Sequence, residues 1–422
     1  MSFLSCKMEQ RNNEMKVVRV THTNLGGAGL CVQRLHNAYN SLYGDETLII
    51  ADGIRHDETI LIAEKDGAAN YNKRRSYLGT KIYHLLLRLK LVPQETYFRE
   101  KIDKLRSKRD FFLTLPFSGY KHIIELPCVK NADIINLHWI GNFVDLPSFA
   151  TGTDKPIVWS LHDENPARGC LHYECPYPEY NDLDRELQDI KIKAIKKINN
   201  LNVVVQSKKM KETCLKSKVL ADYPITIIPN GVNVNQFKLK DKIESRKELG
   251  ISREAKVFLF SSVDIYDERK GLIYLISALE RLNDSDVVLV CVGRYDKIPQ
   301  AKIEVKCVGF VDDYNKYSNL YSASDFYVLS SFQESFAKTP LEAMSCGTPV
   351  VAFPCSGVED CITDDTGVIC NDFTIDALYE GIQKAQSKVY DREKIRNHVK
   401  ENFTFEIMAR RYRTLYESIL RE

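Results

Sequence analysis

Two glutamates, Glu334 and Glu342, stand with seven residues between them, and a short loop follows the first of the two. Ionised carboxylates accept strong hydrogen bonds from hydroxyl groups, so acids at such a place suit a sugar. A loop that leads into a helix also presents backbone N–H groups to a phosphate oxygen. The loop residues are Ser335, Phe336 and Ala337. The spacing therefore predicts a ligand that is half phosphate and half sugar.

Two predicted elements position this loop. The apolar run 325–330 predicts a buried strand. The residues after the loop predict a helix over Thr339–Cys346, with Pro340 in its first turn and Gly347 after its end. The alternative interpretation is an ordinary strand, loop and helix whose acids are simply solvated.

Further motifs follow in a fixed order. Gly347 opens the run GTPVVA, residues 356–360 read SGVED, and Thr366 is followed by Gly367. Together with the two glutamates, this order resembles the donor-binding segment of the retaining glycosyltransferases of family 4, the glycosyl transferases group 1. The resemblance implies an α/β protein of the GT-B fold. Such a protein has two doubly wound, Rossmann-like domains that face each other across a cleft, and a C-terminal helix that crosses back to the first domain.

The resemblance also implies roles for basic residues. Lys270 precedes the predicted helix Leu272–Leu282, where its charge would neutralise a diphosphate. The family often has a second basic residue at the end of the preceding strand, and this chain has 261–263 (SSV) there. Arg269 is the candidate substitute, with a merely solvated side chain as the alternative.

By the same resemblance, Glu342 would hold the ribose hydroxyls and Glu334 the hydroxyls at the far side of the sugar ring. Lys270 and the loop amides would stabilise the departing diphosphate without a metal. Neither glutamate is assigned as a nucleophile. No cofactor is expected; the nucleoside-diphosphate sugar is a substrate.

Two turns are further candidates for donor contacts. Gly26 and Gly27 belong to a glycine-rich turn between a strand and a helix, where glycines permit either a close approach of a ligand or close helix packing. The resemblance places this turn at the interdomain cleft. It also places the turn of Gly309, Phe310 and Val311 against the nucleotide base. For Phe310 we weigh stacking on a base against a place in the core, and we favour the core.

A predicted strand, Pro156–His162, ends in a histidine that is followed by Asp163. Groups beyond the carboxyl ends of strands in an open parallel sheet lie where ligands bind. The residues 136–139, 159–163 and 169–173 resemble a subgroup used in bacterial surface-polysaccharide assembly. In the family a histidine at this strand end touches the donor sugar. His162 is therefore a catalytic candidate and Asp163 an acceptor-side neighbour, with a structural histidine as the alternative.

The chain has 422 residues, a formal net charge of +2 and 12 cysteines. Its length predicts two domains, and its near-neutral charge argues against a partner made of nucleic acid. Scattered cysteines without a signal peptide predict reduced thiols in a cytoplasmic protein. Cys170, His172 and Cys175 lie close together in the sequence without a fourth ligand at a matching spacing, so we predict no metal site.

We predict four segments: a disordered segment at 1–14, an acceptor-side domain at 15–222, a donor domain at 223–402 and a returning helix at 403–422. Within the first domain, the stretch from Lys73 to Lys90 carries basic residues beside an apolar helical face. Such a helix suits an anionic membrane surface, which would place the protein on the cytoplasmic face of the inner membrane. Packing of that face on the domain core is the equal alternative.

These observations predict a retaining, metal-independent hexosyltransferase. It would move a hexosyl residue from a UDP- or GDP-linked sugar to a glycan or lipid-linked saccharide acceptor, in bacterial exopolysaccharide, capsule or O-antigen assembly. A GT-B sugar-nucleotide epimerase is one alternative, and it would need further acids and a histidine for proton transfer. A non-catalytic nucleotide-sugar-binding protein is the other. The presence of Glu334, Glu342 and Lys270 together favours the enzyme.

Overall fold

The structure is a computed structural model of the 422-residue chain. It describes residues 14–23, 26–45, 47–51, 60–62, 85, 86, 89, 91–106, 112–118, 120–355 and 357–422. The basic residues from Lys73 to Lys90 lie outside these ranges, so the membrane-binding helix stays a prediction, as does the disordered segment at 1–14. Across the described ranges, no helix is both long enough and apolar enough to span a bilayer.

The described residues form two compact units. The first unit contains the described residues up to Val205, together with Lys211–Thr226 and Arg413–Glu422. The second unit contains Gln206–Met210 and Ile227–Tyr412. The chain therefore passes between the units more than once.

The first unit is built on a sheet of strands. In chain order these strands are β1 Val17–Val20, β2 Thr47–Ala51, β3 Ile60–Ile62, β4 Ile134–Leu137, β5 Ile157–Ser160, β6 Leu201–Val205 and β7 Ile225–Ile227. Their spatial order is β3-β2-β1-β4-β5-β6-β7. Each of β1, β4 and β5 pairs in parallel with both of its neighbours. All four residues of β1 are buried, as expected of a central strand with helices on both faces.

The second unit is built on a second parallel sheet. Its strands are β8 Lys256–Asp264, β9 Val287–Arg294, β10 Glu304–Cys307, β11 Phe326–Leu329, β12 Val350–Ala352 and β13 Gly367–Ile369. Their order is β10-β9-β8-β11-β12-β13. Because successive side chains of a strand point to opposite faces, Val257 and Leu259 pack into one apolar core and Phe258 into another. The two cores cover the two faces of the sheet, which confirms the predicted doubly wound α/β architecture.

Helices connect the strands in both units. In the described residues the α-helices are α1 Gly26–Tyr43, α2 Gln94–Arg106, α3 Pro127–Lys130, α4 Leu146–Phe149, α5 Pro178–Ile195, α6 Lys208–Lys216, α7 Lys242–Glu248, α8 Leu272–Glu280, α9 Tyr314–Ala323, α10 Thr339–Ser345, α11 Ile375–Gln386, α12 Arg392–Asn402 and α13 Phe405–Arg421. Short 3₁₀ turns occupy Lys121–Glu125, Asn165–Ala167 and Glu268–Lys270. Strands and helices thus alternate through each unit.

The last helix, α13, belongs to both units. Its residues up to Tyr412 cluster with the second unit, and those from Arg413 onward cluster with the first. In the first unit, the Tyr416 hydroxyl donates a 2.7 Å hydrogen bond to Asn136 Oδ1 of β4, and the Arg413 guanidinium pairs with the Asp45 carboxylate. These buried contacts fix the end of the chain on the first unit.

The passage into the second unit falls between Thr226 and Ile227, within β7. The sequence predicted it slightly earlier, at 222/223. Strand β7 forms an edge of the first sheet. The residues before it therefore belong to the first unit.

Candidate functional site

The loop between β11 and α10 lies between the elements that the sequence predicts. Helix α10 has proline in its first turn and ends before Gly347, whose φ is +73°. A Cβ at Gly347 would lie 2.8 Å from side-chain atoms of Arg392 and Leu239, so glycine is required there. On the strand side, the Tyr327 hydroxyl donates to Thr339 Oγ1 at 2.7 Å, which ties β11 to the start of α10.

Glu334 lies in this loop beside two cations. Its Oε1 is 2.5 Å from Lys270 Nζ and 3.7 Å from Arg269 Nη1. The Arg269 guanidinium also donates to the carbonyl of Gln333 at 2.7 Å. The Glu334 side chain is 14% exposed and the Lys270 side chain 20% exposed, so solvent screens this ion pair less than a surface pair. The loop acid and the basic turn form one charged cluster.

The turn that carries these cations is fastened to the loop by its backbone. The carbonyl of Arg269 accepts a 2.9 Å hydrogen bond from the Phe332 amide, and the carbonyl of Lys270 accepts one of 2.9 Å from the Ser330 hydroxyl. Gly271 has φ +69°, and a Cβ there would lie 2.2 Å from the Ser330 carbonyl oxygen. A larger residue would push the two segments apart.

The loop residues Ser335, Phe336 and Ala337 leave backbone donors available. Their amide groups donate to no acceptor in the part of the chain that the structure describes. Phe336 is buried and packs against Gly357, where an added Cβ would lie 2.7 Å from the phenyl ring. The buried ring anchors the loop while its amides stay available to an anion.

Glu342 lies on α10 and is held by a residue that sequence reasoning missed. The Tyr321 hydroxyl of α9 donates to Glu342 Oε2 at 3.2 Å. Burial, with the Glu342 charge alongside, raises the pKa of Tyr321 well above its ordinary value, so the phenol remains a donor. Tyr314, Tyr317 and Tyr321 recur at three- and four-residue spacing, and that helical stripe was the available signal.

The turn after β10 differs from expectation at one residue. Val311 is buried, but the Phe310 side chain is 61% exposed, so the prediction that Phe310 fills the core is wrong. Gly309 has φ +75°, a conformation that favours glycine. A Cβ added there would have nothing within 4 Å. The Gly309 carbonyl accepts a 2.9 Å hydrogen bond from the Gly293 amide. This turn therefore presents an aromatic ring to solvent.

In the first unit, His162 belongs to a chain of hydrogen bonds between neighbouring strand ends. Its Nε2 lies 3.0 Å from His138 Nδ1, and His138 Nε2 lies 3.0 Å from Asn136 Oδ1. His138 is buried, and burial, followed by the nearby His162 and Arg19, lowers its pKa well below the ordinary value. His162 itself is partly exposed. The neutral His138 therefore orients the His162 ring.

Asp163 is buried and its carboxylate is surrounded by donors. It accepts hydrogen bonds from Trp139 Nε1 at 2.8 Å, His172 Nδ1 at 2.7 Å and the Asn165 amide at 2.9 Å. Burial alone would raise the pKa of Asp163, but the hydrogen bonds and charge of His172, with the other two donors, lower it overall. The carboxylate stays ionised and organises its own surroundings.

The remaining candidates, Gly26 and Gly27, open helix α1. The predicted glycine-rich turn is thus part of the helix, because the glycines themselves adopt its first turn. An added Cβ at Gly27 would have nothing within 4 Å. Close packing of the helix therefore does not explain this glycine.

Comparison with proteins of known structure identifies the fold. The structure of Anabaena HepE in complex with UDP-glucose matches with a TM-score of 0.62 and 17% identity, over 96% of this chain and 100% of that one. Together with the two parallel sheets, this match defines a GT-B fold. Residues 241–402 match the family described as glycosyl transferases group 1. This match lies within the second unit.

Curated relatives match over shorter stretches. The N-acetyl-alpha-D-glucosaminyl L-malate synthase of Bacillus anthracis is 31% identical over 118 residues, which are 27% of this chain and 31% of that protein. The lipopolysaccharide core biosynthesis mannosyltransferase LpsB of Rhizobium meliloti is 30% identical over 122 residues, which are 26% of this chain and 34% of that protein. The chain thus spans about a third of the length of these relatives.

Proposed function

We propose that the protein is a glycosyltransferase that moves a hexosyl residue from a nucleoside-diphosphate sugar to a hydroxyl of an acceptor. The observation that carries this proposal is the cluster in which Glu334 lies between Lys270 and Arg269, beside three amides that donate to no described acceptor. Cations and amides suit the diphosphate, and carboxylates suit the sugar hydroxyls. Both chemistries meet on one loop.

In the proposed reaction, the bond between the anomeric carbon and the diphosphate oxygen breaks while the acceptor oxygen bonds to the same carbon. Negative charge grows on the leaving oxygens, where Lys270, Arg269 and the loop amides stabilise it without a metal. The departing phosphate takes the acceptor proton, and attack on the same face of the sugar retains the anomeric configuration. Glu334 orients the sugar hydroxyls and His162 contacts the donor sugar.

Glu342 and Phe310 would hold the nucleoside. The Tyr321 hydroxyl positions the Glu342 carboxylate, which would accept hydrogen bonds from the ribose hydroxyls. The exposed Phe310 ring lies in the turn where the resemblance places the base, and an exposed aromatic ring can stack on it. The base is uracil or guanine. HepE was crystallised with UDP-glucose, which makes UDP-glucose the first donor to test.

The acceptor is a glycan or a lipid-linked saccharide of a bacterial surface polysaccharide. LpsB, one relative, is a mannosyltransferase of lipopolysaccharide core biosynthesis. The proposal places the protein in the cytoplasm, with the basic stretch from Lys73 to Lys90 on an anionic membrane surface. Charge reversal at Arg74, Arg75 and Arg88 should abolish binding to anionic vesicles. Unchanged vesicle binding would remove the membrane part of the proposal.

Calorimetric titration with UDP, GDP and ADP in the presence of a chelator tests the donor site. One nucleotide should bind the wild type, and Glu342→Ala should weaken that binding about tenfold through loss of the ribose contact. Glu380→Ala, an exposed acid on α11, is the matched control and should bind normally. Equal affinity of wild type and Glu342→Ala, or no binding of any nucleotide, would contradict the donor site.

A second assay separates transfer from the two alternatives. An epimerase would change the sugar of the bound donor without an acceptor, and a binding protein would leave the donor intact. A transferase releases the nucleoside diphosphate, and faster release on addition of a saccharide acceptor supports the proposal. Analysis of the new linkage by NMR then tests retention.

A further inference from the structure

A cavity lies in the second unit, away from the Glu334 cluster. Its volume is about 460 Å³, within the range of small-molecule sites. Lys256 begins β8, Asp325 precedes β11 and Pro349 precedes β12, so the cavity lies at the amino-terminal edge of the sheet. Lys270 and Glu334 follow the same strands at the opposite edge. Strand β8 has 9 residues and spans roughly 25 Å, which separates the two places.

The cavity wall is rich in positive charge. Four of its side chains are basic and one, Asp325, is acidic. Asp325 already pairs with Lys242 and with Arg246. The other basic side chains of the wall are Lys256, Lys388 and Arg392. Even after the outward pairing of Lys256 with Asp284, an excess of cations faces the cavity.

Among the basic side chains of the cavity wall, Arg392 has no carboxylate partner in the described ranges. Its guanidinium donates to the carbonyls of Cys346 at 3.1 Å and Ser322 at 3.3 Å. Over the described ranges it forms no ion pair with a carboxylate. Burial lowers its pKa from the ordinary value, which shows the cost of holding this charge away from water. An anion in the cavity would offset that cost.

Lys388 can change partners. Its Nζ lies 2.9 Å from Asp364 Oδ1, and the Asp364 side chain is 91% exposed. Ion pairs with so exposed a partner contribute little, because solvent competes for both charges. An anion in the cavity would replace Asp364 at low cost.

Tyr390 adds an aromatic wall and an unused donor. Its ring packs edge-on against Phe326, with centroids 6.2 Å apart. Its hydroxyl is shielded from solvent and has no hydrogen-bond partner in the part of the chain that the structure describes. Burial, with Asp364 nearby, raises the pKa of Tyr390 to about 12, so the phenol stays protonated. An anionic oxygen reached by a small rotation of the ring would satisfy this donor.

We propose that this cavity binds a small organic phosphate. Its phosphate group contacts Arg392 and Lys388, and its organic body lies against the Tyr390 ring. The site is independent of the glycosyltransferase proposal, since none of its residues belongs to the Glu334 cluster. Sugar phosphates and nucleoside monophosphates share the required chemistry, and glucose 6-phosphate and AMP are the probes that distinguish them.

The test titrates the full chain with glucose 6-phosphate, AMP and inorganic phosphate, by calorimetry. Lys388→Gln is the decisive variant, because Lys388 contacts an exposed partner and its loss should not disturb the fold. We expect it to weaken binding about tenfold, while Lys394→Gln, an exposed lysine on α12, binds as the wild type does. Arg392→Gln should weaken binding further. Tyr390→Phe should weaken binding several-fold without lowering the melting temperature of the unliganded protein, because it removes an unsatisfied hydroxyl.

Three results would overturn the proposal. One is the absence of saturable binding in the millimolar range for either organic phosphate. Another is equal affinity in wild type and Lys388→Gln. The last is loss of binding in Lys270→Gln with normal binding in Lys388→Gln, which would assign the phosphate to the loop at the opposite edge. Inorganic phosphate that binds more tightly than both organic probes would contradict the part assigned to Tyr390.

Discussion

Glu334 in the second unit and Asp163 in the first both follow a strand of a parallel sheet, yet their surroundings differ. Glu334 contacts two cations on a neighbouring turn, beside amides with no described acceptor. Asp163 is buried, and its oxygens accept from an indole, an imidazole and a backbone amide. A carboxylate whose partners are mobile cations can exchange them for a ligand. One whose acceptors are filled by fixed donors positions other residues instead.

The largest effect that separates these two acids is expected in turnover. Glu334→Ala should lower kcat by about 10²–10³, because the sugar loses its orienting acceptor in the transition state. Nucleotide affinity should hold or increase, since Lys270 and Arg269 lose an acid that competes for their charge. Initial rates and calorimetric titration on one preparation measure both quantities, with Glu380→Ala as the control. Wild-type turnover in Glu334→Ala would remove the role of this acid.

For Asp163→Asn we expect a loss of stability without a change in nucleotide binding. An asparagine side chain turns one acceptor into a donor that faces the Trp139, His172 or Asn165 donors, at a cost of about 2–3 kcal/mol in the free energy of unfolding. Nucleotide affinity should not change. Urea denaturation measures the loss, and Asp189→Asn, an exposed acid on α5, should leave stability unchanged. Equal stability of Asp163→Asn and the control would show that the filled acceptors of Asp163 contribute nothing.

The pH dependence sharpens the same contrast. The pKa of Asp163 is lower in the folded chain than the ordinary value of 3.8. The contribution of ionised Asp163 to the free energy of unfolding is therefore fully present above pH 3.8. It is lost as the pH falls toward the pKa of the folded state. Wild type should lose stability below about pH 4 more steeply than Asp163→Asn. Parallel acid titrations of the two proteins, followed by circular dichroism, would contradict this if their slopes coincide.

A smaller effect is expected at Phe310. Truncation to alanine should weaken nucleotide binding by about five- to tenfold if the ring stacks on the base. Stability should not change, because the side chain is 61% exposed. Val389→Ala, which shortens another exposed apolar side chain, is the control. Unaltered nucleotide affinity in Phe310→Ala would leave the ring without a part in the donor site.

Local signals in the sequence predicted the second unit well. Proline near the start and glycine after the end bounded α10 to within a residue, because both act through their own backbone dihedral angles. The strand before the loop was found from its apolar run. The contact of Lys270 with the loop could also be expected, because the family places a basic residue there. These features depend on short stretches of chain.

Contacts between elements escaped prediction because they depend on the order of strands and the facing of helices. The hydrogen bond between His138 and His162 exists because β4 and β5 are neighbours in the sheet. The exposed ring of Phe310 comes directly after Gly309, whose positive φ the surrounding pattern of apolar residues does not reveal. The role of Tyr321 depends on which face of α9 meets α10. No single segment encodes such pairings.

Tyr321→Phe tests the smallest of the expected effects. It removes one neutral donor, 3.2 Å from Glu342, and leaves the ring in its buried place. A hydrogen bond this long contributes about 1 kcal/mol, so nucleotide affinity should fall three- to fivefold as Glu342 loses its orientation. Tyr317→Phe on the same helix is the matched control. If the Glu342 carboxylate resembles Asp163 and serves only the interior, Tyr321→Phe will lower stability and leave nucleotide affinity unchanged. That result would show that Glu342, like Asp163, positions other residues and does not bind the nucleotide.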